Sequence, residues 1–508
     1  MNVTDIPILT LLIVVPLLGA AVALFTGKHA RAVALLTSLV SLILSLVVWT
    51  HLPSNGKIGL VELHSWAPSL GIEYHLGVDG LGALMLVLSA IVTLMSVDAA
   101  HRVHHQPGLY YALVLILQSG LFGSFTALNF FHWFLFWELS LIPAFFLIKL
   151  WGGPRRGPAA TQFFVYTMAG SVALLLSFLA LFLSTGTMDF GQLSAMAQNG
   201  SLTQAVTAHL GPVMLWLAIG VLAGFAVKVP LVPFHTWLPA AYSEAPSPVT
   251  MLLTGAMSKM GVYGLLRIAL PLFGAQIAQM RTPLLVLAVA TVVMGAWAAA
   301  AQKDLKRVFA YSSVNHLGYC LLGIFALAVP ASGSASILAS QAAALNGVIL
   351  QMFNHGLTAA AIFWFIAMIQ FRTGGLRGID DFGGLRKPAP VFAGLMGIAL
   401  FSSLGLPGLN GFVGEFLIFR GVFPLSWISA TVSVLGLLVT AAVILTVIQK
   451  VLTGPVSEHW SHFPDLHTSE RLALAPVIAL MFVLGLVPRL VVDAINPTVQ
   501  NLLAHWRF

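Results

Sequence analysis

The segment Gly224-Phe-Ala-Val-Lys228-Val-Pro230-Leu-Val-Pro233-Phe-His235-Thr-Trp-Leu-Pro239 reads as a membrane helix interrupted by residues that a membrane helix should not contain. Apolar side chains dominate it, yet a lysine, a histidine and three prolines fall inside. Proline lacks an amide hydrogen and its ring clashes with the preceding turn, so Pro230 and Pro233 are expected to break the helix just after Lys228. Whether Lys228 lies within a bilayer depends on the chain around it.

That chain has 508 residues, is 59% hydrophobic and 8% charged, and has a mean hydropathy of +0.96. Soluble domains carry about 25% charged residues. The apolar residues come in runs of roughly 20, the length of α-helix that crosses a hydrocarbon core about 30 Å thick, whereas barrel strands would alternate every second residue. The fold class is therefore all-α and polytopic, embedded in a membrane. A net charge of +7 and a pI near 9.6 do not signal a nucleic-acid partner, because the basic residues are scattered singly between apolar runs. Cys320, alone in the chain, excludes an internal disulfide and a thiolate set for an iron–sulfur cluster or a cysteine-rich zinc site. No nucleotide-binding glycine fingerprint follows a strand. No metal or cofactor is expected in this chain, and any electrons must travel through other subunits. The first run, Ile6 to Phe25, lacks a basic flank and a small-residue cleavage site, and is read as a retained helix.

Apolar runs between charged or Gly/Pro-rich breaks give about fourteen spans. They lie near 6–25, 30–49, 78–97, 109–127, 130–150, 163–183, 213–231, 246–270, 283–301, 308–329, 342–370, 391–423, 427–451 and 472–491. With this division, alternate connections hold fourteen basic residues on one side, among them Arg102, Arg155, Lys306 and Arg377. The other side holds five: Lys57, Arg281, Arg420, Arg489 and Arg507. The positive-inside rule then places both termini outside the cytoplasm. Lys149 and Arg267 sit near helix ends, where long side chains reach the headgroups.

Several ionisable groups remain at membrane depth. Glu138 falls in the fifth span, Lys228 in the seventh, Lys259 in the eighth, His316 in the tenth, His355 in the eleventh and Glu415 in the twelfth. One charge at bilayer centre costs on the order of 3 kcal/mol, so such groups pair, share water and mark ion pathways. Lysine and histidine suit protons: desolvation and a neighbouring carboxylate pull a lysine in opposite directions, and histidine titrates near neutrality. Pro407, in Gly405-Leu-Pro407-Gly, interrupts the twelfth span before Glu415 as Pro230 and Pro233 interrupt the seventh. Breaks at corresponding places in two halves point to inverted repeats with an ion site at each break.

Four segments carry a resemblance: Trp137-Glu138-Leu-Ser-Leu-Ile-Pro143, Ala226 to Pro239, Asp304 to Gly318 around His316, and Gly414-Glu415-Phe416. With them the chain resembles, over nearly its whole length, the antiporter-like membrane subunits of respiratory complex I, and within these the M type of bacterial NADH-quinone oxidoreductase. The resemblance implies fourteen helices: three N-terminal ones (1–108), two inverted five-helix repeats (109–270 and 271–452), and a last helix with its tail (453–508). It implies a proton relay of Glu138 and Lys228 as a coupled pair, then Lys259, His316, His355 and Glu415. It also implies L- and N-type neighbours in a bacterial inner membrane, with NADH, FMN, iron–sulfur clusters and quinone held or used by partner subunits. A cation/proton antiporter and a membrane-bound hydrogenase share these motifs, and a stand-alone solute transporter is the reading from another class. The family usually continues Trp-Leu-Pro with Asp-Ala-His, where this chain has Ala240-Ala241-Tyr242. A cytoplasmic inlet here would therefore fall to His235 and Glu244.

Overall fold

The computed structural model describes residues 6–67, 72–330, 334–456, 458–506 and 508. Arg507, one of the five residues on the poorly basic side, lies outside them. Helices α1 (Ile8–Thr26) and α2 (Ala30–Thr50) lead into an antiparallel hairpin, β1 (Gly59–Ala67) and β2 (Ile72–Val78). Then come α3 (Gly80–Ala99), α4 (Pro107–Thr126), α5 (Phe130–Trp151) and α6 (Arg156–Thr185). Two short helices, α7 (Phe190–Gln198) and α8 (Ser201–Leu210), precede α9 (Met214–Lys228) and α10 (Trp237–Glu244). One long helix follows in three α-helical pieces, α11 (Ser247–Leu252), α12 (Lys259–Gly264) and α13 (Leu270–Gln279), joined by π-helical turns at Leu253–Met257 and Leu265–Ala269. The chain ends with α14 (Arg281–Ala300), α15 (Leu305–Ala326), α16 (Ala335–Arg372), α17 (Pro390–Leu404), α18 (Asn410–Leu425), α19 (Trp427–Val447), α20 (Thr468–Leu486) and α21 (Arg489–His505).

By length and composition, eleven helices among the described residues can cross a membrane, or twelve if the pair α8 and α9, bent by 105°, is one span. The expected number of about fourteen differs from this at two places. Ile8–Thr50 counts as one apolar stretch although a 3-10 turn at Gly27–His29 divides it. The run 391–423 is split into α17 and α18, each too short for a full crossing.

Side-chain caps start several helices where the sequence supplies them. Asp79 accepts from the Gly82 amide at α3, Asn129 from Phe131 at α5, and Asp304 from Arg307 at α15, each satisfying an amide that has no intrahelical partner. The ends of the helices form two faces. On one lie the hairpin, α7, α8 and α21, joined by a bridge between Asn129 and Asp189 and by the Gly80 amide donating to Thr498 Oγ1. We call it the hairpin face. The opposite, basic face gathers the connections that carry Arg102, Arg155 and Arg377.

Arg267 does not reach for headgroups as expected. It is 9% exposed and pairs with the buried Asp79 at 2.5 Å, because α3 brings its capping aspartate against the second π-turn.

Glycine sets the spacing where the twelfth span meets α16. A Cβ on Gly347 would stand 2.5 Å from the Ile418 amide nitrogen, and one on Gly421 2.3 Å from that of Ala344. Small residues of this kind let membrane helices approach backbone to backbone. Gly414, beside Glu415, packs the same way on Gln351.

Candidate functional site

α9 ends at Lys228, and the chain between it and α10 contains Pro230 and Pro233. The break is stitched by side chains: the Trp237 indole donates to the Val227 carbonyl at 2.9 Å, and Thr291 Oγ1 accepts from the Val232 amide at 3.0 Å. The second break has the same logic. α17 ends at Leu404, followed by Gly405, whose φ of 82° suits a residue without a side chain, and α18 restarts at Asn410 beyond Pro407. Asn410 Oδ1 accepts from Ser402, and its backbone carbonyl accepts from Asn354 Nδ2 at 2.7 Å.

Lys228 is 2% exposed, with its ammonium 4.7 Å from the centre of the Trp137 ring. A cation over an indole face is held by the ring quadrupole. Glu138, next to Trp137 on α5, does not close an ion pair with Lys228 among the described residues, and its Oε1 is buried without a hydrogen-bond partner.

Lys259 is fully buried and sits directly after the first π-turn. Its Nζ donates to the Thr254 carbonyl, to Ser258 Oγ at 3.3 Å, and to His355 Nδ1 at 2.8 Å. The wide turn supplies the cage: π-turns recur at functional positions because they free and redirect backbone groups. From His355 the line continues to His316, with ring centres 5.1 Å apart. His316 Nδ1 pairs with Glu415 Oε1 at 2.9 Å, and Nε2 meets Ser403 Oγ at 3.3 Å. Gln351 donates to the same Glu415 oxygen at 3.2 Å. A cavity of about 10 Å³ lies against His316, His355, Asn354 and Glu415, the space one water needs.

Four of the six expected relay residues are therefore in one polar line across α12, α16, α15 and α18. Of the inlet residues, His235 faces Tyr311, and its buried Nδ1 has no partner among the described residues. Glu244 is held on the basic face by the Arg155 amide at 2.9 Å and by the guanidinium of Arg377 at 3.7 Å. It lines a cavity of about 590 Å³ together with Ser247, His104 and the buried Lys306.

Sequence reading missed the residues that hold these groups: Trp137 under Lys228, Thr254 and Ser258 around Lys259, and Gln351 and Ser403 around the His316–Glu415 pair. A signal existed for some. Thr254 and Ser258 are four apart on an apolar helix, and Gln351, Asn354 and His355 share one turn of α16.

Glu73, His75 and Asp189 also converge on the hairpin face, within 4.8 Å of one another. There His75 Nδ1 already bonds Asp189 Oδ2 at 2.6 Å, and Asp189 Oδ1 caps α7 through the Gln192 amide.

Residues 127–444 match the profile of the family described as NADH:quinone oxidoreductase/Mrp antiporter, TM. NADH-quinone oxidoreductase subunit M of Rhodobacter capsulatus is 33% identical over 515 residues, covering 98% of this chain and 97% of the relative. A chain of respiratory complex I from Thermus thermophilus superposes with a TM-score of 0.86 at 28% identity, over 98% of this chain and all of that one. A chain of the Mrp complex from Dietzia shares the fold, with a TM-score of 0.84 at 23% identity over 99% and 98% of the two chains. This multi-span membrane chain belongs to the antiporter-like subunit family of NADH:quinone oxidoreductases and Mrp antiporters.

Proposed function

We propose that this chain is the M-type, proton-translocating subunit in the membrane arm of a bacterial NADH-quinone oxidoreductase. The observation that carries the reading is the line from Lys259 through His355 and His316 to Glu415, in which neighbouring groups touch or stand one water apart. Lys259 as ammonium passes a proton from Nζ to Nδ1 of neutral His355, leaving a neutral amine and an imidazolium. His355 discharges through the intervening space to His316, and the Glu415 carboxylate accepts from His316. Buried groups of this kind are expensive to keep in a membrane unless they move or bind ions. Lys228 and Glu138 form the loading end: moving the carboxylate towards or away from the ammonium changes whether Lys228 holds its proton.

The chain supplies no redox chemistry in this reading. NADH, FMN and iron–sulfur clusters belong to partner subunits, and quinone reduction there drives the movement of charge here. L- and N-type subunits are the neighbours, and the two inverted repeats are 109–270 and 271–452. The hairpin face and both termini are periplasmic, and the basic face with Glu244 and its cavity is cytoplasmic. Among the rival readings, a solute transporter is disfavoured by the size of the cavity on the polar line, which takes one water. An Mrp-type or hydrogenase assembly keeps the same relay and differs in what co-purifies with the chain.

In the intact complex, reconstituted in liposomes, Lys228→Ala or Glu138→Ala is expected to abolish proton pumping while the complex still assembles. Normal pumping by either assembled variant removes the relay.

A further inference from the structure

A groove of about 440 Å³ lies between α2 and α3 on one side and α16 and α20 on the other. Leu35, Leu42 and Leu46 line it from α2, Ile91 and Leu94 from α3, and the nearly buried Trp364 from α16. Asp98, one residue before the end of α3, is the only charged residue lining it. The groove thus starts at the basic face with a polar mouth and runs between hydrocarbon walls towards the membrane interior.

Its dimensions exclude a protein helix. Leu35 to Leu46 covers about 16 Å along α2, about half of a hydrocarbon core about 30 Å thick. A volume of about 440 Å³ spread over that length leaves a channel about 6 Å across, where a helix with its side chains needs about 10–12 Å. One extended hydrocarbon chain fits, and the length is that of a single leaflet.

The charges at the mouth select the headgroup. Asp98 Oδ1 is taken by Arg31 at 2.7 Å, and the Nε of Arg31 is buried without a partner among the described residues. Lys28, one turn before Arg31, is exposed. Arg102, one turn after Asp98, lies over the Phe371 ring and donates to the Phe371 carbonyl rather than to an acid. Three cations therefore stand around one carboxylate. His101 registers the sum: burial, then the charges of Arg31 and Arg102, push its imidazole below the ordinary range against the opposing pull of Asp98.

We propose that the groove is a binding site for one phospholipid with an anionic headgroup, seated from the basic-face leaflet with an acyl chain along α2 and its phosphate on Arg31, Lys28 and Arg102. Surface cations of this kind draw anionic lipids to membrane proteins. A neutral quinone tail would fill the same channel and leave the cations unmet. The lipid requires only that the chain span a membrane, whatever ion the relay carries.

The complete complex is placed in phosphatidylcholine vesicles containing a small fraction of either phosphatidylglycerol or phosphatidylcholine with a photoreactive diazirine on one acyl chain. After irradiation, labelled peptides are mapped by mass spectrometry. Phosphatidylglycerol should label α2, α3 and α20 about fivefold or more above phosphatidylcholine, the discrimination that one surface cation supplies. Both lipids should label α6 alike, at its exposed Leu176 and Leu183. Leu94→Trp fills the groove and should remove the labelling there while leaving that of α6; Leu42→Trp enters the same space from α2, should the first variant fail to assemble. Lys28→Gln with Arg102→Gln, which keeps the pair of Arg31 and Asp98, should bring the two lipids level. Equal groove labelling by both lipids in the wild type reduces the groove to ordinary contact with bulk lipid. Labelling that persists in an assembled tryptophan variant puts the chain elsewhere, and a groove that neither lipid labels is covered by a neighbouring protein. Each of these three results overturns the site.

Discussion

Lys259 Nζ donates to His355 Nδ1 at 2.8 Å, across two helices that the sequence separates by 96 residues. An ammonium has no acceptor and an imidazolium has no free lone pair, so the contact requires that one of the two be neutral. The pair holds one proton between them, which is the condition for passing it on. His355→Ala leaves Lys259 its bonds to Thr254 and Ser258, so the cage survives. Coupled pumping is expected to fall about tenfold or more in an assembled complex, measured as dye quenching in inverted vesicles. Unchanged quenching would remove His355 from the path.

Glu415 has two jobs that different substitutions separate. Its Oε1 accepts from His316 and from Gln351, so Glu415→Gln keeps an acceptor and loses the charge. Charge-assisted hydrogen bonds are roughly twice as strong as neutral ones, and the cost to stability should be about 1–2 kcal/mol. Assembly is expected to persist while pumping is lost. Glu415→Leu strands two buried polar groups, and breaking a buried pair from one side costs about 3–5 kcal/mol. That variant should show a lowered yield of complex on native gels.

The closeness of α16 and α18 predicts a sharp contrast among glycines. Gly421→Ala or Gly347→Ala puts a carbon within 2.3 or 2.5 Å of a backbone nitrogen on the facing helix. The helices must part, at about 1–3 kcal/mol, and Glu415 moves away from His316 with them. Gly394→Ala, on α17, meets nothing within 4 Å and should be neutral. Thermal melts of the three purified complexes compare them directly.

The sequence states the depth of these charges but not their partners. Two prolines after Lys228 and one before Glu415 mark the places where the structure ends α9 and interrupts the twelfth span, because the missing amide is a local property. His316 and Glu415 are 99 residues apart, on α15 and α18, and the glycine seam that seats α18 against α16 shows its purpose only once the helices are packed. Trp137 was legible as part of a motif, but not as the ring beneath the Lys228 ammonium. Arg267 looked like a headgroup anchor because its nearest charge, Asp79, lies on a helix far back in the chain.

The clasp between His75 and Asp189 gives the hairpin a pH dependence with a definite sign. Burial pushes the Asp189 carboxyl up, but the hydrogen bond from His75, the amides of Gln192 and Gly191 and the charge of His75 together hold it below the usual carboxylate range. A group with a depressed folded value stabilises the protein fully at pH above its unfolded value, about 3.9 for aspartate. That contribution is lost as pH falls through the folded value. Through Asp189 the clasp's contribution should therefore be present above about pH 4 and be lost below it. Because Asp189 also caps α7, Asp189→Ala should cost about 2–3 kcal/mol at pH 7, combining a charged hydrogen bond with a lost cap. Hydrogen exchange checks this locally at the Leu128 amide, which donates to the His75 carbonyl at 2.9 Å. Its protection should drop in Asp189→Ala at pH 7, while that of α16 stays unchanged. Equal protection in wild type and variant would mean that β2 is held without the clasp.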